Sequence, residues 1–342
     1  MAATGTAPLS EPARDDRPLR PAAEPDPVGA VLAAHGDGRR IALTTAATTG
    51  AARTVVRTTQ SWWASFPAYT ELSGVSAGAR LWAPGPATAT MTLFAAVHAR
   101  VQGATLVDDP AAATHACLTP ALLDRRGDEL SAGTRVVVAG DRLLPALARQ
   151  ADEHGLRTMH YYGATELSFV ACGTGTAALR PFPGAEVEVR DDVIWVRSPY
   201  LCDRADPPGA YRRDPDGWAT VGDRGALVDG VLEVRGRPDA VVTAGATVVI
   251  GDLEAALAAH AAGPLAVVGT PHPTLGALVT VVLTDAHDRG PVEEFARAHL
   301  PASHRPRRWV HLPILPLTSA GKVDRGALAR TLADRTTTGA AT

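Results

Sequence analysis

Lysine is nearly absent from this chain. Of 33 Lys and Arg residues a single one, Lys322, is lysine. Where every other basic position has become arginine, the retained ammonium offers what guanidinium lacks, a compact charge on a flexible stem. Chance survival of one codon accounts for it equally well until the flanking residues are read. Cysteine is scarce too. Cys117, Cys172 and Cys202 form an odd, widely spaced set, which excludes a disulfide framework and a cysteine-based metal centre. They read as small buried residues of a reducing compartment. No apolar run reaches the roughly 18 residues of a membrane span, and the first residues hold none long enough for a signal peptide. With a net charge of -3 and arginines scattered among acids, there is no electrostatic footprint for nucleic acid. These absences leave a soluble, cytoplasmic protein without a nucleic-acid partner or a membrane span as the expectation.

What is present is enough apolar material for a core. The chain has 342 residues, 46% of them hydrophobic, so two domains are the default. Residues 1–27, rich in Pro, Ala, Arg and Asp, lack helical or strand periodicity and read as a disordered leader. From Val28 the β-rich runs IALTT, ATLV and RVVVAG alternate with the helical runs MTLFAAVHARV and LLPALARQADEHG, the pattern of an α/β sheet with helices on its faces. After Gly184 the alternation becomes strictly apolar and polar around two hairpin turns, Asp191-Asp192 and Asp229-Gly230. Beyond Asp239, DLEAALAAH, LAVVG, ALVTVVL, VEEFARAHL, RRWVHL and DRGALARTLAD read as a small α+β unit, with Lys322 on a loop near its far end.

Four segments in order carry a specific pattern: YYGATE (161–166), TVGDRG (220–225), GRPDAVVTAGATV (236–248) and PLTSAGKVDR (316–325). They resemble the aromatic-Gly-x-Thr-Glu motif, the Thr-Gly-Asp-x-Gly motif, the hinge and the C-terminal lysine loop of the adenylate-forming superfamily. The likeness is to compact acyl-CoA ligases of the o-succinylbenzoate or short fatty-acyl type. It implies a large N-terminal α/β domain with an added antiparallel β segment, shortened at its N-terminus, and a small C-terminal α+β domain joined by a hinge. The divisions implied are a leader over 1–27, an AMP-binding domain over 28–238, a mobile domain over 239–335 and a tail over 336–342.

The resemblance also assigns roles. Lys322 would bridge the attacking carboxylate and the α-phosphate, Thr165 would contact that phosphate, and Glu166 would hold magnesium. Tyr162 would wall the adenine, Gly163 would let backbone come close, Asp223 would bind the ribose hydroxyls, and Arg237 would contact ribose or phosphate. Asp239 would be the hinge, and Gly245 would face the thiol step. A phosphate loop aligns at Thr44–Arg53, with Thr45, Thr48, Thr49, Gly50 and Arg53 as its nucleotide contacts. There the chain departs from the family: Ala46 and Ala47 replace Ser and Gly, Ala52 replaces Pro, and Arg53 replaces Lys. A Cβ at Ala47 restricts the approach of backbone amides to phosphate, so the loop reads as weakened. Its plain alternative is a threonine-rich turn between two strands.

Pro84, Gly85 and Pro86 stand where many members carry a histidine or aromatic residue, and Met91–Val97 reads first as core and second as an acyl-pocket wall. His98 reads as a satisfied helix histidine and His160 as a packing residue. The expected activity is ATP-dependent ligation of a carboxylic acid to a thiol through an acyl adenylate, using ATP, Mg2+ and coenzyme A. The acid would be aliphatic or aryl, since no clear buried carboxylate awaits an amino group. The alternatives are a free acyl carrier protein as acceptor and a catalytically degenerate nucleotide- or acyl-binding member.

Overall fold

A computed structural model describes residues 17–45, 53–206, 208, 211–236, 240–243, 246–272, 276–302, 304–318 and 321–338. Residues 17–27, read from the sequence as part of a disordered leader, are folded, and residues 1–16 lie outside the described residues. Leu19 bridges Ile41 and exchanges backbone hydrogen bonds with Arg40 and Ala42 at 2.9 and 2.7 Å, and Pro21 is buried. One apolar residue paired to a strand edge has outweighed a polar composition. Asp26 then caps α1 (Pro27–Gly36), accepting from the Gly29 N–H at 2.9 Å with Pro27 as the first helical residue.

The large α/β part follows. It comprises β1 (Arg40–Thr45), β2 (Arg53–Thr58), α2 (Gln60–Trp63), α3 (Phe66–Ser73), β3 (Arg80–Trp82), α4 (Thr90–Val101), β4 (Thr105–Leu106) and β5 (His115–Leu118). It continues with α5 (Pro120–Arg126), β6 (Arg135–Val138), α6 (Pro145–Glu153), β7 (Arg157–Ala164), β8 (Ser168–Thr174) and β9 (Arg180–Pro181). Seven of these strands form one sheet in the order β4-β3-β5-β6-β7-β8-β9, parallel through β7. Strand alternation decides what each face buries. Leu81, Cys117 and Val137 pack with α1, α3 and α4, whereas Trp82, Ala116, Leu118, Val136 and Val138 pack with α5 and α6. The chain runs from β3 outward to β4 and then returns across β3 to β5. That reversal is a topological switch point, and ligands of such sheets bind beyond the strands' carboxyl ends there.

The antiparallel segment is β10 (Glu186–Arg190), β11 (Val193–Arg197), β12 (Arg204–Asp206), β13 (Arg212–Arg213), β14 (Ala219–Thr220), β15 (Arg224–Val228) and β16 (Val231–Gly236). Asp191 and Asp192 (φ 49° and 63°) and Asp229 and Gly230 (φ 51° and 72°) sit at its two expected hairpin turns. Positive φ at both central residues matches the right-handed twist of the flanking strands. β12 leaves this sheet and pairs with β2, which also pairs with β1.

The last part holds β17 (Ala240–Thr243), β18 (Ala246–Val249), α7 (Ile250–Ala258), β19 (Leu265–His272), β20 (Gly276–Leu283), α8 (Arg289–His299), β21 (Arg308–His311) and α9 (Arg325–Thr338). Val267 and Val281 pack with α7 and α8 on one face; Ala266, Val268 and Val282 pack with Leu328 and Leu332 of α9 on the other. Its cores share no residue with those of the α/β part. Cys117 and Cys202 are buried as expected, whereas Cys172 is half-buried, and all three are free thiols. Among the described residues no helix is long and apolar enough to cross a membrane.

Candidate active site

The segment YYGATE sits on a strand and a tight turn, not on the loop its Tyr-Gly pair implies. Tyr161–Ala164 end β7, a bulge falls between Tyr162 and Gly163, and the chain reverses into β8. Gly163 is required by that reversal: a Cβ there would lie 2.0 Å from the Ser168 carbonyl oxygen. The bulge turns Tyr162 toward the antiparallel segment, where its hydroxyl donates to Asp223 Oδ2 at 2.8 Å. Asp223 lies between β14 and β15, its carbonyl accepting from the Ile194 N–H at 2.9 Å. Two motifs 61 residues apart thus form one hydrogen-bonded pair of ring and carboxylate.

Glu166, 3% exposed, is paired with Arg53 Nη1 at 3.1 Å. This joins the β7 turn to the first residue of β2, at the exit of segment 46–52. Thr165 Oγ1 donates to Thr90 Oγ1 at 3.3 Å, at the start of α4. Thr45 ends β1, and its side chain is outside the described residues, as are Thr48, Thr49, Gly50, Arg237, Asp239 and Gly245.

Beneath the turn lies a residue that sequence reading missed. Arg57 of β2 is fully buried. Its Nε donates to Ser61 Oγ at 2.9 Å, its Nη1 to the Thr165 carbonyl at 3.0 Å, and its Nη2 to the Tyr200 carbonyl. Burial lowers its pKa to about 10, opposed by the fields of Cys202, Asp203, Tyr211 and Glu166, so it stays cationic at neutral pH. The Cys202 N–H donates to the Glu166 carbonyl at 2.8 Å, and the turn is held from both sides.

The lysine loop docks against the residues that follow β5 and β6, Thr119 and Gly140. Thr318 N–H donates to the Lys322 carbonyl at 2.7 Å, Lys322 N–H to Thr318 Oγ1 at 3.2 Å, and Leu317 bridges Val323. Lys322 is exposed, and its Cε lies 3.8 Å from where a Cβ on Gly140 would be. Gly140 follows β6, which pairs in parallel with β7, the strand that carries Tyr161–Ala164. A cavity of about 240 Å3 at the β3/β5 switch point is lined by Pro84, Gly85, Pro86, Met91, Cys117 and Thr119. Met91 faces this cavity, while Leu93–Val97 are buried in the core. His98 is only half satisfied: it shares a 2.8 Å hydrogen bond with Thr70 through Nε2, but its buried Nδ1 has no partner among the described residues. His160 bonds the Ala177 carbonyl at 3.0 Å, away from the turn.

Chemically, the buried Glu166 carboxylate is paired with Arg53 and lies in the field of the buried Arg57, while Lys322 stands at the end of β6 beside Gly140. Among the described residues no cluster of three metal-ligating side chains exists. Glu166 alone fits a Mg2+ ion that takes its remaining oxygens from phosphate and water.

No family model matches the chain. Among curated proteins it is 28% identical over 233 residues to the 2-succinylbenzoate–CoA ligase of Escherichia coli, covering 64% of this chain and 51% of that protein. Among solved structures it superposes on a variant of E. coli MenE with bound OSB-AMS with a TM-score of 0.74 at 24% identity, covering 86% of this chain and 69% of the other. ATP-bound MatB from Rhodopseudomonas palustris gives a TM-score of 0.70 at 20% identity, covering 85% and 67%. These superpositions show that the chain shares the fold of MenE and MatB. It spans about half the length of the first curated relatives, 51% and 50%.

Proposed function

We propose that the chain is an AMP-forming acid–thiol ligase of the cytoplasm that activates a small carboxylic acid with ATP and passes the acyl group to coenzyme A. In the first half-reaction a carboxylate oxygen attacks the α-phosphorus, the bond to the β-phosphate oxygen breaks, and pyrophosphate leaves. In the second, a thiol sulfur attacks the acyl carbon, the bond to AMP oxygen breaks, and the thiol proton goes to solvent. Bringing a carboxylate against a polyphosphate requires positive charge already in place. The observation that carries this reading is the set of motif residues at one end of the sheet, the Tyr162–Asp223 pair and the Arg53–Glu166 pair at the end of β7 with Lys322 beside Gly140 at the end of the neighbouring β6.

Each residue then has a task. Lys322 bridges carboxylate and α-phosphate on its flexible stem. Thr165 donates to the phosphate, Tyr162 stacks on adenine, and Asp223 accepts from ribose. Thr45, Thr48, Thr49 and Gly50 line the phosphates, Arg237 contacts ribose or phosphate, Asp239 is the hinge of a mobile unit over 239–335, and Gly245 serves the thiol step. Mg2+ bound with ATP would neutralise phosphate charge, held on the protein side by Glu166. Arg53 must then release Glu166, and phosphate is its natural next partner. The cavity at the switch point, apolar at Met91 and Cys117, suits an aliphatic or aryl acid.

The test is pyrophosphate release from MgATP across a panel of aliphatic, aryl and dicarboxylic acids, with and without coenzyme A. One acid class should turn over, and Lys322→Ala should lower that rate roughly 100- to 1000-fold, the usual effect of removing one preorganised donor. Nucleotide binding with no pyrophosphate released from any acid would leave a nucleotide-binding member without turnover.

A further inference from the structure

Helix α5 touches the lysine loop at both of its ends. At its N-cap, Thr119 is 1% exposed and lies against Gly321 so closely that a Cβ on that glycine would be 2.7 Å from Thr119 Oγ1. Gly321 also holds a φ of 76°, which other residues adopt with strain. In the last turn of the helix, Arg125 Nη2 donates to the Leu315 carbonyl at 2.8 Å. The Leu315 side chain is 5% exposed and packed with Leu312, Leu328 and Leu332 in the core of the C-terminal part. Its carbonyl therefore moves only when that part moves as a body. Between the two contacts the loop is closed on itself by Thr318, which bonds the backbone of both Gly321 and Lys322.

We propose that Arg125 is a positioning residue: its bond to Leu315 holds the C-terminal part in the placement that brings Lys322 to the end of β6. The consequence for catalysis rests on the ligase reading above; the grip itself does not. The strength fits such a duty. A single charge-assisted bond at a partly exposed site shifts a docking equilibrium about tenfold, enough to favour one placement and too little to trap it. Acyl-adenylate formation needs Lys322 at the α-phosphate, whereas thiol attack on a preformed adenylate does not.

The experiment compares wild type, Arg125→Ala and Arg125→Lys in two arms. The first needs no activity: dyes at Asp128→Cys and His287→Cys, in a Cys172→Ser background, report docked and released molecules by single-molecule energy transfer. Arg125→Ala should lower the ratio of docked to released about tenfold, and Arg125→Lys should recover part of it. The second arm measures the half-reactions separately. At saturating acid, pyrophosphate release by Arg125→Ala should fall about tenfold, while thioester formation from added acyl adenylate stays at least as fast as in wild type. An unchanged docking ratio overturns the grip, and equal loss in both half-reactions overturns its selectivity. Should wild type release no pyrophosphate with any acid, the ligase reading fails and the docking arm still decides the grip.

Discussion

Replacing Arg57 by methionine separates what the buried guanidinium does for the fold from what it does for the site. Three hydrogen bonds disappear. Ser61 Oγ keeps a partner, because it also donates to the Thr58 carbonyl at 2.7 Å. The carbonyls of Thr165 and Tyr200 lose their Arg57 donors, and a buried acceptor left unpaired costs about 1–3 kcal/mol. The loss is therefore about 2–6 kcal/mol for the two. Against it stands the desolvation of the cation. With its pKa lowered to about 10 by burial, Arg57 carries about 3 kcal/mol of unfavourable transfer that methionine does not. Methionine's unbranched chain fills most of the vacated volume, which keeps the cavity contribution small. The net change in unfolding free energy falls between about 1 kcal/mol stabilising and about 3 kcal/mol destabilising.

The site should respond far more than the fold. Arg57 fixes the carbonyl immediately before Glu166, and a displacement of about 1 Å in a positioned reacting group costs on the order of 100-fold in rate. Urea denaturation gives the first quantity, and ATP–pyrophosphate exchange at saturating MgATP and acid gives the second. Arg57→Met should remain folded with exchange reduced 10- to 100-fold, the range about 1 Å of misplacement allows. Exchange within about threefold of wild type would refute the claim that this guanidinium holds the turn. A variant that does not fold would show instead that the two carbonyls outweigh the desolvation relief.

Gly163→Ala places a Cβ 2.0 Å from the Ser168 carbonyl oxygen, a backbone atom that cannot move aside, so urea unfolding should show a loss of at least about 2 kcal/mol; wild-type stability would sink the close-approach argument. Tyr162→Phe keeps the ring and removes the donor to Asp223, and should cost about 1.5 kcal/mol, read as a lower urea midpoint; an unmoved midpoint would show the bond to be idle. Burial lowers the His98 pKa to about 4, below the roughly 6.5 of an unfolded imidazole. The unfolded chain takes the proton first, so His98's contribution is whole above about pH 6.5 and is lost as pH falls toward 4, by up to about 3 kcal/mol. Urea midpoints from pH 7 to 4 test this; a His98→Gln chain with the same slope as wild type would refute it.

Much of the fold was legible because its signals are local. Period-two alternation and Asp or Gly at positive φ mark the hairpins at 191–192 and 229–230, and the alternating runs between Ala104 and Val138 mark a doubly covered sheet, whereas IALTT pairs instead with β2 in a separate three-stranded sheet. The motif residues were legible for a different reason, since charge and hydroxyl chemistry restricts which residues can stand at 162–166, 223 and 322. Residues 17–27 pair and pack despite a leader-like composition, because composition averages over a segment while a single residue, Leu19, decides whether it pairs.

Arg57 was illegible on both counts. In Thr-Val-Val-Arg-Thr it reads as the exposed position of a strand edge, yet Val55, Val56 and Arg57 are all buried, and Val55 packs in a core with Leu167, Val170 and Ile194 from far later in the chain. Burial at three consecutive strand positions arises only where both faces are covered, and nothing local announces a cover supplied by a distant segment. Arg125 is hidden likewise, an arginine among the charges of DRRGDE whose partner is a backbone carbonyl 190 residues away. The residues sequence could name are those that would touch the reactants. Those it could not name set where the first group stands, and their partners are main-chain oxygens, which any sequence supplies at every position.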